Sequence, residues 1–466
     1  MGHSLAWAAA SPAREDRRFV TANCRPDDEC GLITRGELLM VRGPSAELLD
    51  GLPLIDHHCH GVLAPTVEGR PAPPLDRAAF EAQLNEGAVA GPGRSYADSL
   101  LGLALRRWCP PVLDLPAHTP LDAYLERRAE LGVADVSRRL LGAAGIGEFV
   151  VDTGYSPAGI TPPDDLAALA GAALGGAALG GGTVPETRAY EIVRLETLAE
   201  GVAATGVTAS GFADAVRNEL ARRRREPAAA GGVVGAKTIA AYRVGLRLPG
   251  PAPAPGAVTS AAGRWLGQLA RTPGVEPRCA DPVLSRFLIQ CALEDGLPVQ
   301  VHCGYGDNDL DLDGADPVNL TAMLRATEPL GTPILLLHDY PFHRQAGYLA
   351  QVFTHVSTDL GLATHNLGSR SAAVLAEALE LVPFGDFLFS SDAFGLPELY
   401  LLGALLFRRG LGQFLDDGIA ADEWTVADAE GVVRAIASEN ARRVYGLPDP
   451  ATVEPASIEP ASGERA

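Results

Sequence analysis

Eight short apolar runs, each ending in polar or ionisable residues, constrain this 466-residue chain more than anything else in it. They are "LPLIDHH" (52 to 58), "GEFVVDTGY" (147 to 155), "YEIVRLET" (190 to 197), "GVVGAKTIAAY" (232 to 242), "LPVQVHCGYGD" (297 to 307), "TPILLLHDYP" (332 to 341), "THVSTDLGL" (354 to 362) and "GDFLFSSDAFG" (385 to 395). Runs of strand length, rich in Val, Ile, Leu and Phe, suit parallel strands covered on both faces. Helical patterns separate most of them, among them "DLAALAGAAL", "FADAVRNELARRRR", "LSRFLIQCALEDG" and "SAAVLAEALELV". Alternating strands and helices in this number predict an α/β fold, a (β/α)8 TIM-type barrel. An open doubly wound sheet is the alternative, but no GxGxxG follows any run, which removes its usual nucleotide site.

The barrel is expected over residues 49 to 447, with a mostly helical insertion after the first strand, about 62 to 146. Residues 1 to 48 read as an N-terminal extension, and 448 to 466 as a disordered Pro/Ala/Ser/Glu tail. A Pro/Gly/Ala loop is expected over 246 to 263, and it and the insertion are placed to shape an active-site mouth.

Hydrophobic residues make up 47% of the chain and charged ones 21%, enough to bury a core. A net charge of -20 disfavours nucleic acid. Arg222 to Arg225 read as a solvated helix terminus. Seven cysteines without CxxC pairs fit a reducing cytoplasm rather than a disulfide framework. The start lacks the pattern of a secretory leader, and "LAALAGAALGGAALGGG" (166 to 182) is too broken by glycine to span a membrane. A cytoplasmic protein with a small-molecule substrate is expected, and homo-oligomer formation is left open.

The chemistry concentrates where runs end. In Asp56-His57-His58-Cys59-His60, strand alternation aims Asp56, His58 and His60 one way and His57 and Cys59 the other. His58 and His60 can then converge on one transition-metal ion, Zn²⁺ fitting imidazole well. HxH alone is a weak signal. It gains weight because Lys237, His302, His338 and Asp392 end the fourth, fifth, sixth and eighth runs, where barrel enzymes keep catalytic groups.

That series, with "DHHCHG", "KTIAAYRVGL", "HCGYGDNDLDL", "LLHDYPFHRQAGYLA", "LFSSDAFGLPELYLLGA" and "ENARRVYGL", resembles the amidohydrolase superfamily of metal-dependent hydrolases. The similarity is to the branch also found fused to glutamine-synthetase-like domains, which this sequence lacks. The resemblance implies His58, His60 and Asp392 around one metal, His302 and His338 on a second, and carboxylated Lys237 as the bridge. A mononuclear alternative keeps His302 as ligand, gives His338 to substrate polarisation and leaves Lys237 an ordinary amine or ion-pair partner. The implied reaction is hydrolysis of a C–N amide, γ-glutamyl or isopeptide in type, by metal-activated water, with Asp392 as the proton carrier. Decarboxylation or isomerisation at a mononuclear site, and a non-catalytic binding barrel, are the alternatives.

Tyr242 and Arg243, after Lys237, and Arg344, after His338, could bind substrate, the arginines through a carboxylate, or take surface or ion-pair roles. Glu196, on the expected third strand, is either an inward site partner or half of an Arg194–Glu196 pair. Asp309, Asp311, Asp313 and Gly314 imitate a calcium loop but place Leu320 where a bidentate Glu is needed. Cys59 and Cys303 read as core. His343 and His365 are assigned no role.

Overall fold

The computed structural model describes residues 43 to 84, 91, 93 to 176 and 187 to 449. Most of the expected N-terminal extension and nearly all of the expected tail lie outside these residues. Seven parallel strands form one sheet in sequence order: β1 (Leu54–Cys59), β2 (Ile146–Asp152), β3 (Arg188–Arg194), β4 (Val233–Thr238), β5 (Val299–His302), β6 (Ile334–Leu337) and β7 (Val356–Thr358). Each matches an apolar run.

The eighth run does not form a strand. Leu388 N–H donates to Thr358 O of β7 at 3.0 Å, and His57 N–H of β1 donates to Phe389 O at 3.1 Å, so this segment links the two edges of the curled sheet. It leaves extended pairing because Ser391 N–H turns to the Asp56 carboxylate, 2.9 Å away, instead of a neighbouring carbonyl. Asp392 then adopts a left-handed φ of 51°.

Period-two alternation sorts the apolar residues into two layers. Leu54, Phe149, Val151, Val193, Val301 and Leu336 join the larger core with the helices. Ile55, Val150, Ile192, Leu335, Leu337 and Leu388 form a second cluster with Val444 and Tyr445 of the closing helix Asn440–Tyr445. In β1 the pairing with β2 shifts register between Leu54 and Ile55 and again between Asp56 and Cys59. His57 and His58 therefore both find polar partners across the sheet interior, while Cys59 joins the helix-side core. The expectation that His57 faces away with Cys59 is corrected: a bulge-like shift breaks strict alternation.

Between β1 and β2 lie a two-stranded hairpin, Thr66–Val67 with Arg70–Pro71, and the helices Arg77–Gln83, Leu100–Trp108 and Leu121–Ala144. The expected loop at 246 to 263 is corrected in its second half, because a helix runs over Pro255–Arg271. Proline at its first turn costs no hydrogen bond, and the alanines that follow favour helix. Buried Arg408, on helix Pro397–Ala420, donates to the carbonyls of Leu49, Leu52, Ala144 and Gly145. A cation on carbonyls at the C-terminal ends of two helices is favourable, and it pins the starts of β1 and β2 together.

Candidate metal centre

The ends of β1, β4, β5 and β6, with the non-strand segment that carries Asp392, bring the six expected ligands to one place. His58 Nε2 and His60 Nε2 lie 3.0 and 3.3 Å from Asp392 Oδ1, and His338 Nε2 lies 3.4 Å from Asp392 Oδ2. His58, His60 and Asp392 form the group of potential ligands found among the described residues, their ligand atoms all within 4.8 Å of one another. Lys237 Nζ is 2.9 Å from His58 Nε2, and the His302 and His338 rings are 4.7 Å apart.

The donor set fits a metal. His302 Nε2 and both His338 nitrogens are buried without a hydrogen-bond partner, a costly arrangement for polar atoms unless something else binds them. Burial holds His58 near a pKa of about 4 and His302 near about 3, and it pushes His338 well below the usual histidine range. These imidazoles are neutral at pH 7, the form that binds metals. Burial would raise the Asp392 carboxyl, but nearby His338 and the bond from His58 reverse this and keep it an anion. Burial also lowers the Lys237 amine below its ordinary value.

Two buried carboxylates hold the left-handed turns that carry the ligands. Asp359 accepts from His338 N–H at 2.6 Å and from the Ser390 hydroxyl, and its Oδ2 lies 2.8 Å from His57 Nε2. The His338 φ is 71°. Asp56 accepts from Ser391 beside Asp392, as noted, through both its N–H and its hydroxyl. His57 Nδ1 is 3.0 Å from Tyr445 Oη, which accepts from Gln300 at 2.8 Å.

A cavity of about 270 Å³ opens over the centre, lined by His60, Lys237, His302 and Asp392 and walled by Tyr155, Arg194, Tyr242, Arg243, Asp307, Asp309 and Phe394. Of the four substrate-binding candidates, Tyr242 and Arg243 line it. Arg344 does not: it is 53% exposed on helix His343–Val352 and pairs with Glu377 and Glu380. Glu196 lies in helix Leu195–Ala204 rather than on β3, and it does not pair with Arg194. It accepts from Thr238 Oγ1 at 2.6 Å and Ile239 N–H at 3.1 Å, fixing the turn that follows β4.

Sequence reasoning missed Asp152 and Arg194. Arg194 makes a two-nitrogen contact to Asp152 Oδ2, at 3.0 and 2.6 Å, and its guanidinium lies 5.7 Å from the Tyr155 ring. Both residues end strands, so the rule that located Lys237 and His302 would have found them. His365, assigned nothing, is buried, and burial drops it to about 4. His343 pairs with Glu377 at 3.0 Å, away from the cavity.

No protein-family model matches the chain. Over 230 residues it is 32% identical to protein fluG of Emericella nidulans, a match covering 46% of this chain and 26% of the fungal protein. The matched part thus spans about a quarter of that relative's length. A crystal structure from Lactobacillus casei, provisionally described as a metal-dependent hydrolase, is 29% identical with a TM-score of 0.69, covering 86% of this chain and 97% of that one. Uronate isomerases from Bacillus halodurans (15% identical, TM-score 0.57, 90% and 98% covered) and Thermotoga maritima (12%, 0.54, 88% and 98%) also superpose. These proteins share its fold. Among the described residues no helix is long and apolar enough to cross a membrane.

Proposed function

We propose that this chain is a metal-dependent hydrolase that cleaves a C–N amide bond of a small molecule. The observation that carries the reading is the convergence of His58, His60 and Asp392 with the unpartnered nitrogens of His302 and His338 beneath one cavity. The likeness to the Lactobacillus casei protein supports the same reaction class.

In this reading His58, His60, His302 and Asp392 hold a divalent ion, Zn²⁺ by ligand type. His338 either joins a second ion or polarises substrate. Lys237, whose burial lowers its amine below the ordinary lysine value, would be suited to carboxylation by CO₂ and to holding two ions. When bound, such an ion supplies Lewis acidity and lowers the pKa of water. Asp392 accepts the proton released by the attacking water and returns it to the leaving nitrogen. Arg194 and Arg243, paired with Asp152 and Glu200, line the cavity and are the groups able to hold a substrate carboxylate. A γ-glutamyl or isopeptide amide that carries a free carboxylate suits those arginines.

Metal analysis of the purified protein, together with an amide panel on wild type, His58→Ala and Asp392→Asn, tests the proposal. Bound divalent metal, and turnover lost about 10²-fold or more in Asp392→Asn, are expected. Metal-free wild type with undiminished turnover overturns it.

A further inference from the structure

Two aromatic rings stand together at the mouth of the cavity, and the reaction above uses neither. Tyr155 and Phe394 have ring centroids 5.1 Å apart, and each meets the His60 imidazole edge-on, at 6.3 and 5.9 Å. Both line the cavity, and Tyr155 is 48% exposed. The Arg194 guanidinium, itself held by Asp152, lies 5.7 Å from the Tyr155 ring.

The fold builds this wall from distant parts of the chain. Tyr155 follows β2, and Phe394 follows the segment that carries Asp392. The stretch after β1 brings them together. Leu63 N–H donates to Gly395 O at 2.8 Å and Gly395 N–H to Gly61 O at 2.9 Å, which fixes the backbone beside Phe394. Thr161 N–H donates to Val62 O and Ala64 N–H to Gly159 O, both at 2.8 Å, which anchors the loop that carries Tyr155. A methyl group on Gly61 would overlap Thr161 O, so glycine is what lets that loop close on the stretch. Rings braced in this way lose little freedom when a ligand covers them, and their apolar area is available for binding.

The place of the wall says which part of a substrate reaches it. Asp392 Oδ1 is 3.3 Å from His60 Nε2, so the proton carrier lies beside the imidazole that both rings touch. In the hydrolase reading, on which this inference rests, the leaving nitrogen comes to Asp392 for its proton, and the group on that nitrogen falls against Tyr155 and Phe394. A cation there would face the charge of Arg194, whereas a flat uncharged ring gains contact with both aromatic side chains. We propose that Tyr155 and Phe394 are specificity-determining residues and that the substrate is an arylamide, whose leaving amine carries a planar, uncharged aromatic group. This narrows the amide class on its amine side.

The test uses aminomethylcoumarin, a flat fluorescent arylamine, titrated by fluorescence anisotropy into the Zn²⁺-loaded full chain. Saturable binding is expected, weakened about 10-fold or more by Tyr155→Ala and by Phe394→Ala through loss of an aromatic contact. Tyr155→Phe keeps the ring and should bind within about threefold of wild type. Aniline should displace the probe, and cyclohexylamine, a cation at neutral pH, should not. Zn²⁺ affinity of Tyr155→Ala, read by chelator competition, should stay within about threefold of wild type, because the ring is no ligand. No saturable binding to wild type, equal binding to Tyr155→Ala, displacement by cyclohexylamine as strong as by aniline, or a parallel loss of Zn²⁺ overturns the proposal. This readout needs no amide cleavage, so failure of the hydrolase reading shows separately, as a metal-loaded wild type that holds the probe yet cleaves no amide.

Discussion

Asp359→Asn isolates the support under the site from the site itself. In the protein the Asp359 carboxylate accepts from two buried donors, His338 N–H and the Ser390 hydroxyl, and lies 2.8 Å from His57 Nε2. Asparagine keeps the shape but replaces one accepting oxygen with an NH₂ group, so at least one buried donor loses its partner and another meets a donor. Each loss costs roughly 1–3 kcal/mol in a buried setting, which puts the variant about 2–4 kcal/mol below wild type. His338 N–H is also the bond that stabilises a left-handed backbone, so its imidazole should lose its aim. Groups that orient metal ligands typically affect affinity about 10–100-fold. Urea unfolding of the apo protein reads the first effect, and chelator competition for Zn²⁺ reads the second. A variant within about 0.5 kcal/mol of wild type that also holds Zn²⁺ as tightly would refute the argument.

Three further outcomes are expected. His302→Ala should lower metal content per chain, measured by atomic emission, whereas His343→Ala, whose partner is Glu377 outside the cavity, should leave it unchanged. Burial of His365 lowers its pKa to about 4, so the unfolded chain takes up the proton first and stability falls as pH drops from about 6.5 to about 4. At 1.36 kcal/mol per unit this is about 3 kcal/mol, and His365→Leu should flatten that part of the stability-pH curve. Arg408→Leu leaves four carbonyls without their shared donor and should cost about 3–5 kcal/mol in urea unfolding, with metal content retained by whatever fraction remains folded.

Seven of the eight apolar runs could be read as strands because each is buried on both faces and needs no polar alternation. The eighth, residues 385 to 395, has a similar apolar centre, but its backbone pairs partly with Asp56, a side chain more than 300 positions earlier that no local pattern reveals. The ligand candidates were legible because they end apolar runs, four of the five runs being strands. Arg344 misled because it follows His338 in sequence while its helix turns it outward to Glu377 and Glu380. Glu196 was placed on the wrong element since "EIVRLET" continues as apolar past Arg194, where helix Leu195–Ala204 already begins. The β1 register shift depends on pairing with β2 and leaves no local signature in "LIDHHCHG".

The bond from Ser391 to Asp56 joins positions 335 residues apart, and the Tyr445 contact to His57 spans 388. On a ribosome the first histidines emerge long before Asp392 and Tyr445. In the proposed reading, no tight ion site can exist on the nascent chain before Asp392 has been synthesised, so an ion could not guide the folding of the first seven strands as they emerge.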